Sequence, residues 1–255
     1  MRQNARDHLP WSETHATGDI VPNEFPPIWF DTFLNRDHAA PVEREVAFIQ
    51  RHLPAATFRC LLDVPCGIGR HAGPLSELGY DVLGVDRSVS ALNVARERYQ
   101  NVEFLELDMF EIGSIGRTFD GVLCLWQSFG YGTSAQNRQL LDDMRQVLRP
   151  GGRIVLDIYN AGAAAELPPS TTERRGGRVV HTRRTWERRR LHVELQYSDA
   201  EGIDRHDWEI YTPAQIMQLA AEVNLDVLLS CAWFDEAMQP SNEHLRMQLL
   251  LERKP

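Results

Sequence analysis

The sequence predicts an α/β fold: a seven-stranded, mostly parallel sheet flanked by helices, with an antiparallel β insertion after the fifth strand. Three observations predict it. Short, nearly continuous apolar runs recur from Cys60 onward, helical patterns separate them, and a segment of two-residue alternation interrupts the series after the fifth run. At 255 residues and 43% hydrophobic content, the chain can bury one sizeable core. A single domain over 25–255 is expected, with residues 160–211 forming an inserted lid.

The expected strands, in order, are Cys60–Val64, Val82–Asp86, Val102–Leu107, Gly121–Leu125 and Ile154–Ile158. Each is apolar almost throughout, as strands covered on both faces require. Ser88 is placed to cap a helix reaching Tyr99, and Ser134 to cap one whose face carries Leu140, Met144, Val147 and Leu148. Pro150-Gly-Gly152 is expected to stop the second helix. Within the insertion, Leu191, Val193, Leu195 and Tyr197 alternate with polar residues, the period of a half-buried antiparallel strand. Thr212 and Pro213 then read as N-cap and first helical residue, with Ile216, Leu219, Ala220 and Val223 on one face. Leu225–Leu229 and Leu245–Leu251 supply two last strands. Upstream, Pro41–Leu53 reads as an amphipathic helix covering the sheet. Residues 1–24, polar and broken by Pro10 and Pro22, read as a mobile arm, without the apolar run of a signal peptide or membrane anchor.

Charge narrows the partners. With 27 Lys+Arg against 36 Asp+Glu, the net charge of −9 disfavours nucleic acid as a partner. The four cysteines lie scattered in apolar segments, without zinc-site spacing or disulfide density, which fits the cytoplasm. No histidine and carboxylate cluster indicates a metal site.

The most informative segment is Leu61-Leu-Asp-Val-Pro-Cys-Gly-Ile-Gly-Arg-His71, a strand running into a glycine turn and then a helical pattern. Glycines there let the backbone approach a ligand closely. Nineteen positions after Gly67, Asp86 ends the second strand, where a carboxylate can accept both hydrogen bonds of a ribose diol. A dinucleotide loop needs a third glycine to admit a pyrophosphate, and it is missing here, which disfavours a nicotinamide-dependent dehydrogenase. The loop begins instead with Asp63, an acid suited to an ammonium group.

Asp63-Val-Pro-Cys-Gly-Ile-Gly69 resembles motif I of the class I, Rossmann-like methyltransferases that use S-adenosylmethionine (SAM). Val85-Asp86-Arg87 resembles their ribose-binding motif, Leu107-Asp108-Met109 the adenine-binding one, and Phe119-Asp-Gly-Val-Leu123 the fourth-strand motif. Leu148-Arg-Pro-Gly-Gly-Arg-Ile-Val155 resembles the turn before strand five. One departure is Pro65, which stands where the family commonly has its first glycine; Gly67 and Gly69 remain. The resemblance implies that Asp63, Cys66, Gly67 and Gly69 hold the methionine part of SAM, Asp86 the ribose, and Asp108 with Met109 the adenine. Arg87 would lie along the adenine face, and Leu125 would end strand four beside the cofactor. Arg70 either reaches the SAM carboxylate or is a solvated arginine at the helix start.

Trp126-Gln-Ser-Phe-Gly-Tyr131, after strand four, falls at the carboxyl edge of the sheet, where open α/β folds bind ligands. It is similar to the Ser-Phe-Gly-Tyr stretch of small-molecule methyltransferases, and Ser128 and Tyr131 carry polar groups suited to a ligand. Trp29, Trp208 and Trp233 are further substrate-binding candidates. Tyr131, His181 and His206 are the candidate catalytic groups, a surface role being the alternative for each histidine. Pro65-Cys66 resembles the nucleophile of cytosine C5 methyltransferases, but there the cysteine follows strand four; Cys66 reads as a small loop residue. Eight arginines between Glu173 and Arg190 offer either an RNA contact or the wet face of a β ribbon. The resemblance, including Ile210-Tyr-Thr-Pro213, extends to small-molecule enzymes, many of which methylate amines. Methylation of an amine nitrogen, leaving S-adenosylhomocysteine (SAH), is therefore expected. O-methylation of a small molecule, an RNA methyltransferase and a SAM-binding protein without catalysis stand as alternatives.

Overall fold

The computed structural model describes residues 23–34 and 39–254, so residues 1–22 of the expected arm lie outside it. The chain runs α1 (Pro27–Phe33), α2 (Ala39–His52), β1 (Cys60–Asp63), α3 (Ala72–Glu77), β2 (Asp81–Asp86), α4 (Val89–Arg98) and β3 (Glu103–Glu106). A 3₁₀ turn at Met109–Ser114 precedes β4 (Phe119–Cys124), α5 (Ser134–Val147), β5 (Leu148–Tyr159) and the short α6 (Ala161–Ala164). Then come β6 (Ser170–Arg175), β7 (Arg178–Glu187), β8 (Arg190–Tyr197), β9 (Asp204–Glu209), α7 (Pro213–Glu222), β10 (Leu225–Ala232) and β11 (Arg246–Arg253).

Seven strands form one sheet in the order β10-β11-β5-β4-β1-β2-β3. The five from β3 to β5 run parallel, and β11 enters antiparallel beside β5 with β10 outside it. The order reverses between β1 and β4, which opens a crevice at their carboxyl ends, the place where such sheets take ligands. Alternate strand residues feed two cores. Leu62, Val122, Ile154 and Leu156 pack towards α5 and α7, and Leu61, Leu123, Val155 and Leu250 pack towards α2, α3 and α4. This two-faced burial is what the continuous apolar runs encode.

Helix starts follow side-chain chemistry. Ser88 caps α4 through Ala91 N, and Thr212 forms a capping box with Gln215 at α7. The cap of α5 is Thr133, paired reciprocally with Gln136, and not Ser134. Ser134 enters the first turn, and its hydroxyl donates to Glu209 Oε1 at 2.6 Å. Pro150-Gly-Gly152 is not the stop of that helix either: α5 ends at Val147, and Leu148 already pairs with Phe119 as the first residue of β5. Pro150 disfavours the helical region for Arg149, so the chain is extended before the glycines arrive.

The insertion is a separate antiparallel sheet, β6-β7-β8-β9. It leaves the main sheet at Asn160 and returns at Tyr211, and these two residues form a β-bridge. Its inner face carries Val180, Leu191, Leu195, Trp208 and Tyr197, all buried. α1 is tied to this face by Arg178, which donates to Thr32 Oγ1 at 2.7 Å and to Ile28 O at 3.2 Å. Asn23 continues the tie: its N–H reaches Arg205 O, its side chain exchanges hydrogen bonds with the Asp207 backbone, and its carbonyl accepts from Arg87 at 2.7 Å.

The insertion is seated on the main domain at Gly130, whose carbonyl accepts from Glu209 N at 2.8 Å. Gly130 has φ +113, and an added Cβ would lie 2.3 Å from Glu209 O. Both the conformation and the space therefore demand glycine. Gly130→Ala is expected to destabilise the fold by about 2–4 kcal/mol; a urea midpoint matching that of the parent would contradict this seating.

Candidate active site

The crevice at the β1/β4 reversal continues under α1 and the inserted sheet as one cavity of about 970 Å³. That is near the upper end of ordinary ligand pockets and gives room for more than one small molecule.

One half is built by the sheet edge. The turn after β1 brings Gly67, at φ +52, against the end of β2, and its N–H donates to Asp86 Oδ2 at 2.7 Å. Asp86 Oδ1 accepts from Ser88 N at 2.8 Å. Burial raises the Asp86 carboxyl above its ordinary range, against the pull of these two N–H groups. Asp108 caps the 3₁₀ turn by accepting from Phe110 N, and its other oxygen lies 3.6 Å from Arg87. Cys66, Gly67, Arg70, Asp86, Arg87, Asp108, Met109 and Leu125 all line the cavity. Burial pushes the Cys66 thiol well up, so it stays protonated and is no nucleophile.

Gly69 and Asp63 are placed differently. Gly69 packs away from the cavity against Tyr99 and Phe104. Asp63 lies behind the turn, 1% exposed, and burial raises its carboxyl to about 7. Arg70 is not a solvated arginine: its guanidinium is buried, 3.9 Å above the Trp126 ring and 3.7 Å from Glu45. Two buried atoms of opposite charge here have no protein partner, Asp63 Oδ2 and Arg70 Nη1. Leaving either unmatched costs free energy, and a ligand end with both an ammonium and a carboxylate supplies what each lacks.

The floor after β4 is held by a network that nothing in the motif pattern announces. Trp126 and Gln127 both adopt the left-handed region, at φ +58 and +60, a strain of about 1 kcal/mol or more for each. The Asp157 carboxylate holds them by accepting from Trp126 N and Gln127 Nε2, both at 2.9 Å. Gln248 Nε2 at 2.7 Å and Arg246 at 2.5 Å complete its partners. Arg246 also reaches Glu45 at 3.0 Å, and Glu45 accepts from Trp126 Nε1 and meets His71 Nε2 at 2.6 Å. Burial alone would raise Glu45, but His71, Arg246 and Arg70 hold it at about 2, while burial lowers His71. A neutral His71 donating to an ionised Glu45 satisfies both.

The other half of the cavity is an aromatic chamber. Phe25, Trp29, Phe30 and Phe33 come from the N-terminal segment, Tyr131 and Tyr159 from the main domain, and His206 and Trp208 from β9. Ser128 and Trp233 also line it. Trp208 Nε1 donates to Gln127 O at 2.8 Å, joining chamber and floor. His206 is 2% exposed, stacks on Phe25 at 4.7 Å, and has no hydrogen-bond partner at either ring nitrogen. Burial lowers it to about 4, so the ring is neutral. Burial raises the Tyr131 phenol far above its ordinary value, which keeps it a donor and not a base. His181 is not brought to the site: it stands on the other face of β7, 2.9 Å from Thr172 Oγ1. Sequence reasoning also missed Glu45, His71, Asp157 and Arg246, which come together from four distant segments.

The arginine-rich stretch proves to be a ladder of ion pairs, Arg178–Asp199, Arg183–Glu194, Arg189–Glu209 and Arg190–Asp207 among them. Among the described residues no group of His, Cys, Asp or Glu could hold a metal ion, and no helix is long and apolar enough to cross a membrane.

Sheet order, acid-led turn and strand-end carboxylate are those of the class I SAM-dependent methyltransferase fold, and residues 61–152 match the family model for a methyltransferase domain. It is similar to the Bacillus subtilis methyltransferase-family protein YqeM, at 30% identity over 137 residues, 52% of this chain and 55% of that protein. Mouse glycine N-methyltransferase shares 32% identity over 119 residues, 39% of this chain and 40% of that enzyme. The chain thus spans about half the length of the curated relatives it matches, or less. Among solved structures, the sugar N-methyltransferase KedS8 of a Streptoalloteichus species superposes with a TM-score of 0.68 and 21% identity, covering 97% of this chain and 100% of that one; this likeness concerns the fold.

Neutral burial of His206 sets a pH test. Its folded pKa of about 4 lies below the ordinary 6.5, so the unfolded chain binds the proton more readily. Stability is whole above pH ~6.5 and falls, by about 3 kcal/mol from this residue, as pH drops to ~4. A His206→Phe variant is expected to lose that part of the slope in denaturation series across this window; a slope identical to the parent's would refute a neutral buried ring.

Proposed function

We propose that this protein transfers a methyl group from SAM to an amine nitrogen of a small, largely apolar acceptor, leaving SAH. The observation that carries the reading is one cavity in which the Asp86 edge and Arg70 meet an aromatic chamber holding the His206 imidazole, with the unmatched Asp63 carboxylate buried just behind the turn.

Bound SAM supplies an electrophilic methyl on a sulfonium. The chain's residues bind and align around it. Asp86 accepts from the ribose hydroxyls, Asp108 and Met109 flank the adenine, Asp63 takes the ammonium, and Arg70 takes the carboxylate. The chamber excludes water and holds the acceptor in line with the methyl, and such alignment is the main demand of this transfer. His206, neutral and without a partner among the described residues, accepts a hydrogen bond from the unprotonated acceptor nitrogen. A base at about 4 is too weak to activate an alcohol, whereas an unprotonated amine needs only a nearby acceptor. This favours nitrogen over oxygen. The names of mouse glycine N-methyltransferase and KedS8 point the same way. The paired arginines of the insertion weigh against RNA.

Calorimetry with SAH and mass spectrometry of products from an amine panel test the reading. Asp86→Ala is expected to weaken SAH by about ten- to hundredfold. SAH affinity should also rise with pH up to ~7, since the Asp63 carboxyl at about 7 must be ionised to pair with an ammonium. Absence of SAH binding by the parent, or undiminished binding by the variant, would end the assignment; methyl found only on oxygen or carbon would end the amine claim.

A further inference from the structure

Six arginines line the cavity, and five have a carboxylate close by. Arg70 faces Glu45 at 3.7 Å, Arg87 faces Asp108 at 3.6 Å, Arg175 faces Glu173 at 2.8 Å, Arg205 faces Glu194 at 3.1 Å, and Arg246 faces Asp157 at 2.5 Å. Arg184 has no carboxylate within ion-pair distance among the described residues. It stands on the inner face of β7 in line with Val180 and Thr182, opposite Val193 of β8, and lines the cavity half-buried.

The guanidinium is held from one end. Nη1 donates to Pro168 O at 3.2 Å and to Thr171 Oγ1 at 3.3 Å, which leaves Nε and Nη2 without a protein acceptor among the described residues. Glu173, the acid on the neighbouring strand, is committed to Arg175. Tyr159 lines the same wall, senses the charge of Arg184, and has no hydrogen-bond partner at its hydroxyl among the described residues. Burial pulls Arg184 below its ordinary value, against the weaker opposing pull of Tyr159 and Glu173. A half-buried cation with two idle donors is costly unless the ligand brings the matching charge.

We propose that Arg184, with the Tyr159 hydroxyl, binds a carboxylate of the methyl acceptor, so that the acceptor is an amino-acid-like molecule with an amine, an apolar body and a carboxylate. The fork of a guanidinium matches a planar carboxylate. The opposite ends of the acceptor are then fixed by different chemistry: the carboxylate by Arg184, the body by the aromatic rings, and the nitrogen by its approach to the methyl. The inference rests on the methyltransferase reading above and adds the acceptor class to it.

The test uses the full chain saturated with SAH and three probes sharing one ring: phenylalanine, 3-phenylpropionate and phenethylamine. Titration calorimetry at millimolar probe is expected to show phenylalanine binding about tenfold or more tighter than phenethylamine. Arg184→Gln should weaken phenylalanine and 3-phenylpropionate by about ten- to hundredfold and leave phenethylamine and SAH unchanged. Tyr159→Phe should weaken the two carboxylates by a smaller factor. Equal binding of phenylalanine and phenethylamine by the parent protein, or no binding of either carboxylate by SAH-loaded protein, overturns the proposal. That comparison needs no variant, so misfolding of one does not shield it. Failure of the parent to bind SAH would instead bring down the methyltransferase reading itself.

Discussion

The charge of Asp157 has to be matched inside the fold, and most of the site is arranged by that requirement. An unpaired carboxylate with no exposure would cost several kcal/mol. Its partners come from two places: the backbone and side chain of the turn after β4, and Gln248 with Arg246 of β11. Arg246 needs a second anion, and Glu45 of α2 provides it while also accepting from Trp126. The turn at Trp126–Gln127, unfavourable for side-chain-bearing residues in isolation, is therefore over-determined by hydrogen bonds. It sets the wall on which Arg70 stacks and from which Trp208 is hung.

The two halves of the cavity are made by different means. At the sheet edge, backbone amides, a strand-end carboxylate and a capping aspartate present fixed groups at fixed heights, a geometry that depends on little beyond the parallel sheet. The roof is made of side chains from α1 and the inserted strands, where any residue on the inner face alters the shape of the chamber. The family match covers residues 61–152 and stops before the insertion begins. That division suits a class whose members share a donor and differ in what they methylate.

Among the described residues, unmatched buried polar atoms gather at the cavity and just behind it. Asp63 Oδ2, Arg70 Nη1 and both nitrogens of His206 are among the few buried side-chain atoms without partners. In a fold that pairs most of its buried charges, and five of the eight arginines of the insertion's run, these groups are the exceptions.

Much was legible before any coordinates. Alternate residues of the apolar runs do face the two helical layers, and the glycine turn does meet Asp86, because strand order and a two-residue period oblige both. Local reading failed where the decision was not local. Thr133 caps α5 in place of Ser134 because Gln136 reciprocates from the first turn, and β5 starts before its glycines because Pro150 excludes helix at Arg149. His181 and His206 look alike in sequence, yet pairing places one on the outer face and the other in the chamber.

The sequence by itself determined the α/β layering, the switch point and the meeting of the glycine turn with Asp86, since periodicity and the spacing of an acid-led turn from a strand-end carboxylate are properties of consecutive residues. Tertiary structure alone decided which charges meet: Glu45, His71, Asp157 and Arg246 share no segment, and Arg184 is the one cavity-lining arginine without an ion pair among the described residues. Charge pairing acts over a few ångströms in space, and a chain carries no local mark of which distant residue will stand that close.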